Sequence, residues 1–189
     1  TPGISRRRAV TLPHAALLLR RIVHRGIFAR VSFSAYGLRE GVLLENMPEG
    51  IRDQDPLIAG AEALARPIAP AQGFGIALAN WLRPMLGELE PVFSPRRDQI
   101  LRESACRLAD FGARMHPDHR AELARDTVLY APVAGLSHPE RAFLGAALHF
   151  RHGGTARTLD SHAIARLMDA DQRRMAECLG LCLRLGSKL

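Results

Sequence analysis

Six residues in the second half of the chain are of types that hold metals or anions: Asp110, His116, Asp118, His119, His149 and His152. Imidazole and carboxylate groups are the usual donors to borderline divalent cations. His149 and His152 stand three apart and can share one face of a helix. Two readings stand. The set is a residual ligand or anion pocket, whose imidazoles would charge below roughly pH 6.5 and tune phosphate binding. Or it is a group of helix-end hydrogen bonds and surface histidines. Arg114, Arg120, Arg151 and Arg157 flank the same stretch, and Arg6, Arg7 and Arg8 lie upstream. A guanidinium is a flat fork that matches phosphate oxygens, so these arginines could line a track for a polyanion, bound in a salt-sensitive way. A solvated basic face is the alternative. Arg39 and Glu40 present the same choice, between a contact with substrate or a neighbour and an internal ion pair at a helix N-terminus, where glutamate is favoured.

The bulk composition is compatible with either reading. The 189 residues carry a formal net charge of +7, and Lys188 is the only lysine. That balance favours an anionic partner, or reflects an arginine-rich coding bias; it argues for a class of partner and not for a fold. Aromatic residues are only 5% of the chain, which leaves no stacking platform for single-stranded nucleic acid, and no nucleic-acid recognition motif is present. No run of about 18 apolar residues occurs, so no membrane span is expected. The N-terminus lacks the apolar core of a signal peptide, which points to a cytoplasmic setting. It also lacks an initiator methionine, as at a fragment boundary. Cys106, Cys178 and Cys182 give an odd count without framework spacing, which argues against a disulfide scaffold. Cys178 and Cys182 share a helical face and read as small apolar residues.

Hydrophobic periodicity predicts the elements that must position these groups. A helix is expected over 12–25, ended by Gly26. Residues 29–34 alternate, with Val31 and Phe33 on one face, and read as a short strand; a second helix follows over 37–45. A lone strand cannot satisfy its own edges, so this unit calls for a sheet that the chain does not otherwise supply. Residues 48–56 are polar and rich in breakers and read as a linker. Beyond it the pattern is helical throughout: 56–65; 73–89, with Trp81, Leu82 and Leu86 facing inward and a kink or break at Pro84; 95 to about 114, opened by Ser94-Pro95; 117–130; a helix from the capping box Ser137-His138-Pro139-Glu140 to Gly153-Gly154; a short helix capped by Asp160, to Met168; and a last helix over 171–185. Gly73-Phe74-Gly75 is the nearest approach to a phosphate loop. No strand precedes it, so the glycines read as a helix boundary.

Three stretches together carry a resemblance. Residues 31–43, with Gly37-Leu38-Arg39-Glu40-Gly41 at their centre, look like the signature that closes the actin-like half of the exopolyphosphatase/guanosine pentaphosphate phosphatase family. Arg8-Ala9 fits the same segment, although the family often has Asp where Val10 stands and Gly where His14 stands. Residues 109–120 are similar to the family's degenerate HD-type helical domain. Arg141-Ala142-Phe143-Leu144, with 150–154, fits the helix that follows, and 181–186 resembles a later one.

The resemblance implies a mainly α chain: a degenerate HD-like helical bundle (57–189), preceded across the linker by a helix–strand–helix remnant of an actin-like, ribonuclease H-like phosphatase lobe (1–47). The whole protein would hydrolyse terminal phosphoanhydrides of polyphosphate or guanosine pentaphosphate with magnesium, using loops and a catalytic carboxylate upstream. This chain would hold no catalytic residue and no metal. It would contribute polyphosphate binding, a homodimer contact and a scaffold for the N-terminal lobes, or act as a regulatory module for guanosine polyphosphates. Active HD chemistry holds two metals with several histidines and an adjacent His-Asp pair. Here Ala109 stands in the place of that histidine, and Asp110 is what remains.

Overall fold

The computed structural model describes residues 5–67 and 73–188. Packing divides the chain into two units, Thr1–Arg52 and Asp53–Leu189.

The first unit holds α1 (Arg6–Gly26), α2 (Leu38–Glu45) and the single turn α3 (Glu49–Arg52). The first helix begins six residues earlier than expected because the Ser5 hydroxyl accepts from the Arg8 N–H. Pro13 therefore lies inside it. It ends through Ile27, which adopts the left-handed conformation (φ 46°). Gly26 supplies the space: a Cβ there would lie 2.1 Å from the Phe28 ring. The expected strand over 29–34 is not formed, and no strand occurs among the described residues. Alternation alone does not make a strand; it needs a ladder partner. The expected linker contains the α3 turn. Every described residue from 5 to 52 is exposed.

The second unit is a helical bundle of α4 (Pro56–Ala65), α5 (Phe74–Gly87), α6 (Pro95–Leu108), α7 (Arg120–Tyr130), α8 (His138–Arg151), α9 (Ala156–Asp160), a 3-10 turn (Ala163–Leu167) and α10 (Ala170–Gly186). Its axis is α8. From Ala142 to Phe150 every residue of α8 is buried, because α7, α10 and α6 all pack against it. A helix that is covered on all sides needs small residues as well as large ones. Here Ala142, Gly145, Ala146 and Ala147 alternate with Phe143, Leu144 and Leu148. Phe143 meets Phe93 edge-on, at 5.5 Å between ring centres, a preferred aromatic geometry.

Side-chain caps fix the helix starts. Asp55, Ser94, Ser137 and Asp169 each accept a first-turn N–H. Arg97 ties three of these starts together, donating to Glu140 at 2.5 Å, to Asp55 at 3.1 Å and to the Gly135 carbonyl. Burial pushes the Glu140 carboxyl up, but Arg97 and the Ser137 N–H outweigh it and hold the group below the usual carboxylate range. Asp98, 3% exposed, accepts from the Val92 and Phe93 N–H groups at 3.0 and 2.9 Å and so folds the α5–α6 connection against α6.

Four details differ from expectation. Trp81 is 48% exposed, because the buried row of α5 is Leu78, Leu82 and Leu86, at i, i+4 and i+8; residue 81 lies about 100° around the helix from that row. Of the kink or break expected at Pro84, the break does not occur, since the helix runs through that residue. α6 stops at Leu108, and turns occupy 109–114. Asp160 ends α9 and starts no helix; Thr155 caps α9 and His162 caps the 3-10 turn. Gly73 does bound α5, as its N-cap in the left-handed conformation (φ 82°).

Candidate functional site

The C-terminal turn of α8 meets the turn after α6, the first residue of α7 and the end of α10. Arg151 NH2 donates to Asp110 Oδ1 at 3.0 Å. The Gly112 N–H donates to His152 Nε2 at 3.2 Å. An imidazole nitrogen that accepts carries no hydrogen, so the His152 proton sits on Nδ1. That atom is buried without a partner among the described residues, as is Arg151 Nε. Position 112 must be glycine for this contact, because a Cβ there would lie 2.7 Å from His152 Nε2 and 3.0 Å from Arg120 Cγ. Arg120 donates through Nε and NH2 to the Met115 carbonyl at 3.3 and 3.2 Å. Arg184 reaches in from α10: its NH1 lies 4.0 Å from where a Gly153 Cβ would stand.

The charges in this cluster are crowded. Burial lowers the Arg151 guanidinium pKa; Asp110 counters that, while Arg120 and Arg184 push it further down. Burial, then Arg151 and Arg120, carry His152 down to about 4. His152 is therefore neutral at physiological pH. Between pH 6.5 and about 4 the unfolded chain binds a proton here that the folded chain does not, so stability falls as the pH drops through that window. The fall attributable to this group is expected to be on the order of 1–2 kcal/mol after discounting for solvent screening. His152→Gln, whose longer amide can place its oxygen near the position of Nε2 and accept from Gly112, should flatten the slope of urea-unfolding free energy between pH 7 and 4.5. Identical slopes for the two proteins would refute the assignment.

The structure brings together Asp110, Arg120, Arg151 and His152, and leaves the other sequence candidates apart. His149 is buried three residues earlier, but its Nε2 points at the Thr158 hydroxyl (2.9 Å) and the Thr155 carbonyl (3.2 Å). Burial lowers its pKa as well. It positions the start of α9, and Gly154 makes room: a Cβ there would lie 2.2 Å from the imidazole. His116, Asp118 and His119 are exposed on the approach to α7, with His116 Nδ1 3.8 Å from Asp118. Arg114 and Arg157 are exposed. Arg39 and Glu40 belong to the first unit, where the Glu40 carboxylate accepts from the Gly37 N–H at 2.7 Å and has its pKa lowered by that bond. The cysteines are free. Burial pushes the Cys106 thiol up to about 12, and burial with Cys178 pushes Cys182 to about 11.

A dinuclear metal centre does not fit these side chains. Ala109 presents a methyl group at 0% exposure. The Asp110 carboxylate is engaged by Arg151, and His152 Nε2 is engaged by a backbone N–H. Among the described residues no group of three or more His, Cys, Asp or Glu side chains could hold an ion. The cation beside Asp110 is a guanidinium. Sequence reasoning missed Arg184, which reads as one more charge on an amphipathic helix; the signal was Gly180, one turn earlier, which lets that helix approach α8 closely.

Comparison with known proteins adds two findings. The family model described as exopolyphosphatase, C-terminal, matches residues 76–189. Retrograde regulation protein 2 of Saccharomyces cerevisiae is 30% identical over 152 residues, which are 80% of this chain and 25% of that protein. The match thus spans about a quarter of the length of that relative.

Proposed function

The chain belongs to the exopolyphosphatase family, with the family's C-terminal domain at residues 76–189, and from this premise we propose that it binds polyphosphate and scaffolds a phosphoanhydride hydrolase without performing the cleavage. The observation that carries this reading is the set of three arginines gathered at the end of α8, Arg120 beside Gly112, Arg184 beside Gly153 and Arg151, of which Arg151 is paired with Asp110. Polyphosphate bears a charge on every phosphoryl group, so several modest contacts add up and the binding weakens with salt. The exposed Arg114 and Arg157 would extend the contact. In this reading the second unit is an HD-like domain in which Arg151 stands where metal chemistry once did. The first unit is the closing segment of an actin-like lobe. Its uncovered Leu18, Ile22, Phe33 and Leu38 support that, since apolar surface of this kind normally has a partner. The N-terminal lobes of the whole protein would supply that cover, the catalytic carboxylate and the magnesium. The homodimer and the cytoplasmic setting belong to the same reading.

The test is titration of the chain with long-chain polyphosphate at 50 and 200 mM salt, with phosphate release followed in parallel. We expect binding that falls at least tenfold across that range, and no turnover. Turnover at enzyme rates, or binding indifferent to salt, would overturn the proposal. A regulatory module for guanosine polyphosphates is the second reading, favoured by a relative named for regulation. Tight binding of guanosine tetraphosphate that long-chain polyphosphate fails to displace would select it.

A further inference from the structure

We propose that Asp110 is a resident stand-in for the ligand, and that a phosphoryl group of a short polyphosphate displaces it to be held by Arg151, Arg184 and Arg120. The inference rests on the polyphosphate-binding reading and deepens it by naming one subsite and the way it is kept filled.

Three observations carry it. The first is an incomplete ion pair. The Nε–NH2 edge of a guanidinium is a two-donor fork suited to two acceptor oxygens. Asp110 takes only NH2, at 3.0 Å, while Nε is buried without a partner among the described residues. A tetrahedral phosphoryl group, with three acceptor oxygens, can fill both. The second is the charge balance. Among the described residues Asp110 is the one carboxylate acting on Arg151, against two further guanidiniums that raise the cost of its charge, and His152 contributes none because it is neutral at physiological pH. The crowding is eased only by bringing in negative charge. The third is an open donor on the outer side. The side chain of Arg184 is exposed and its guanidinium has no hydrogen-bond or ion-pair partner among the described residues. The neighbouring Gly153 (φ +92°) has no side chain to cover it. Arg120, by contrast, is committed through Nε and NH2 to Met115, so it contributes mainly charge.

Displacement predicts a paired pattern at this subsite: removing the stand-in's charge tightens the complex, and removing the open guanidinium of Arg184 weakens it. Tripolyphosphate is titrated by calorimetry into the wild-type chain, Asp110→Asn and Arg184→Gln, with inorganic phosphate and long-chain polyphosphate as companion probes and circular dichroism as a check on folding. Asp110→Asn is expected to bind tripolyphosphate about fivefold to tenfold more tightly, and Arg184→Gln about tenfold more weakly. Arg184 is exposed, so its variant keeps the test decisive even where Asp110→Asn unfolds. Tripolyphosphate affinity unchanged in Arg184→Gln, or unchanged or weakened in a folded Asp110→Asn, overturns the subsite. If long-chain polyphosphate still binds all three proteins, the broader reading survives that result. If the wild-type chain binds none of the probes, both are overturned.

Discussion

Arg141→Met is expected to destabilise the helical unit by about 3–5 kcal/mol, with the urea midpoint moving and the slope of the transition unchanged. The reason lies in the end of α7. A helix leaves its last carbonyls without intrahelical donors, and here they are turned inward, since Val128, Ala131 and Val133 are all buried. One guanidinium answers them. Arg141 NH1 donates to the Val128 carbonyl at 3.1 Å and the Ala131 carbonyl at 2.8 Å, and NH2 donates to the Val133 carbonyl at 2.8 Å. Methionine keeps the stem and loses every donor, so the carbonyls bear their full desolvation cost. Arg141→Lys should recover less than half of the loss, because a single ammonium cannot span acceptors that the two ends of a guanidinium serve. A methionine variant within 1 kcal/mol of wild type would show that water replaces the guanidinium there.

The local half of this architecture is legible in the sequence. Ser94-Pro95 and Ser137-His138-Pro139-Glu140 state their helix starts because a cap is decided by residues within one turn. Gly73 marks a boundary for the same reason. Errors occur where a neighbour distant in sequence decides. Residues 29–34 alternate like a strand, but a strand is a relation between two segments, and no second one occurs among the described residues. Periodicity carries α6 on to 114; the helix stops at Leu108, and the turns beyond it bring the Gly112 N–H to His152, 40 residues later. The candidate site divides in the same way. Asp110, Arg120, Arg151 and His152 are visible as residue types, yet the ion pair between Asp110 and Arg151 spans 41 positions and no periodicity encodes it. His149 lies within α8 whereas His152 stands just past its end as the C-cap, and the two serve different partners. Arg184 was invisible as a site residue because what brings it in is the closeness of two helices.

That closeness supports the second large prediction, at Gly180. A Cβ at this position would lie 2.5 Å from the Ala147 carbonyl oxygen and 3.0 Å from the Arg151 nitrogen. In an α-helix these two groups, four residues apart, are the partners of one backbone hydrogen bond, so a side chain here presses directly on the last turn of α8. The Phe150 Cβ, 2.6 Å away, closes the remaining side. Gly180→Ala gains about 1 kcal/mol of helix propensity but must separate two packed helices, which costs about 1–3 kcal/mol; a net loss of about 1 kcal/mol is expected. Gly180→Leu has no room to relax into and should lose at least about 4 kcal/mol. Gly87→Ala is the matched control: nothing lies within 4 Å of its Cβ position, so it should be neutral or stabilising. Because α8 carries Arg151 and α10 carries Arg184, a folded Gly180→Ala protein should also bind tripolyphosphate more weakly, with Gly87→Ala unchanged. A Gly180→Ala protein as stable as Gly87→Ala would mean that the two helices part at little cost, and that their spacing does not set the distance between the two guanidiniums.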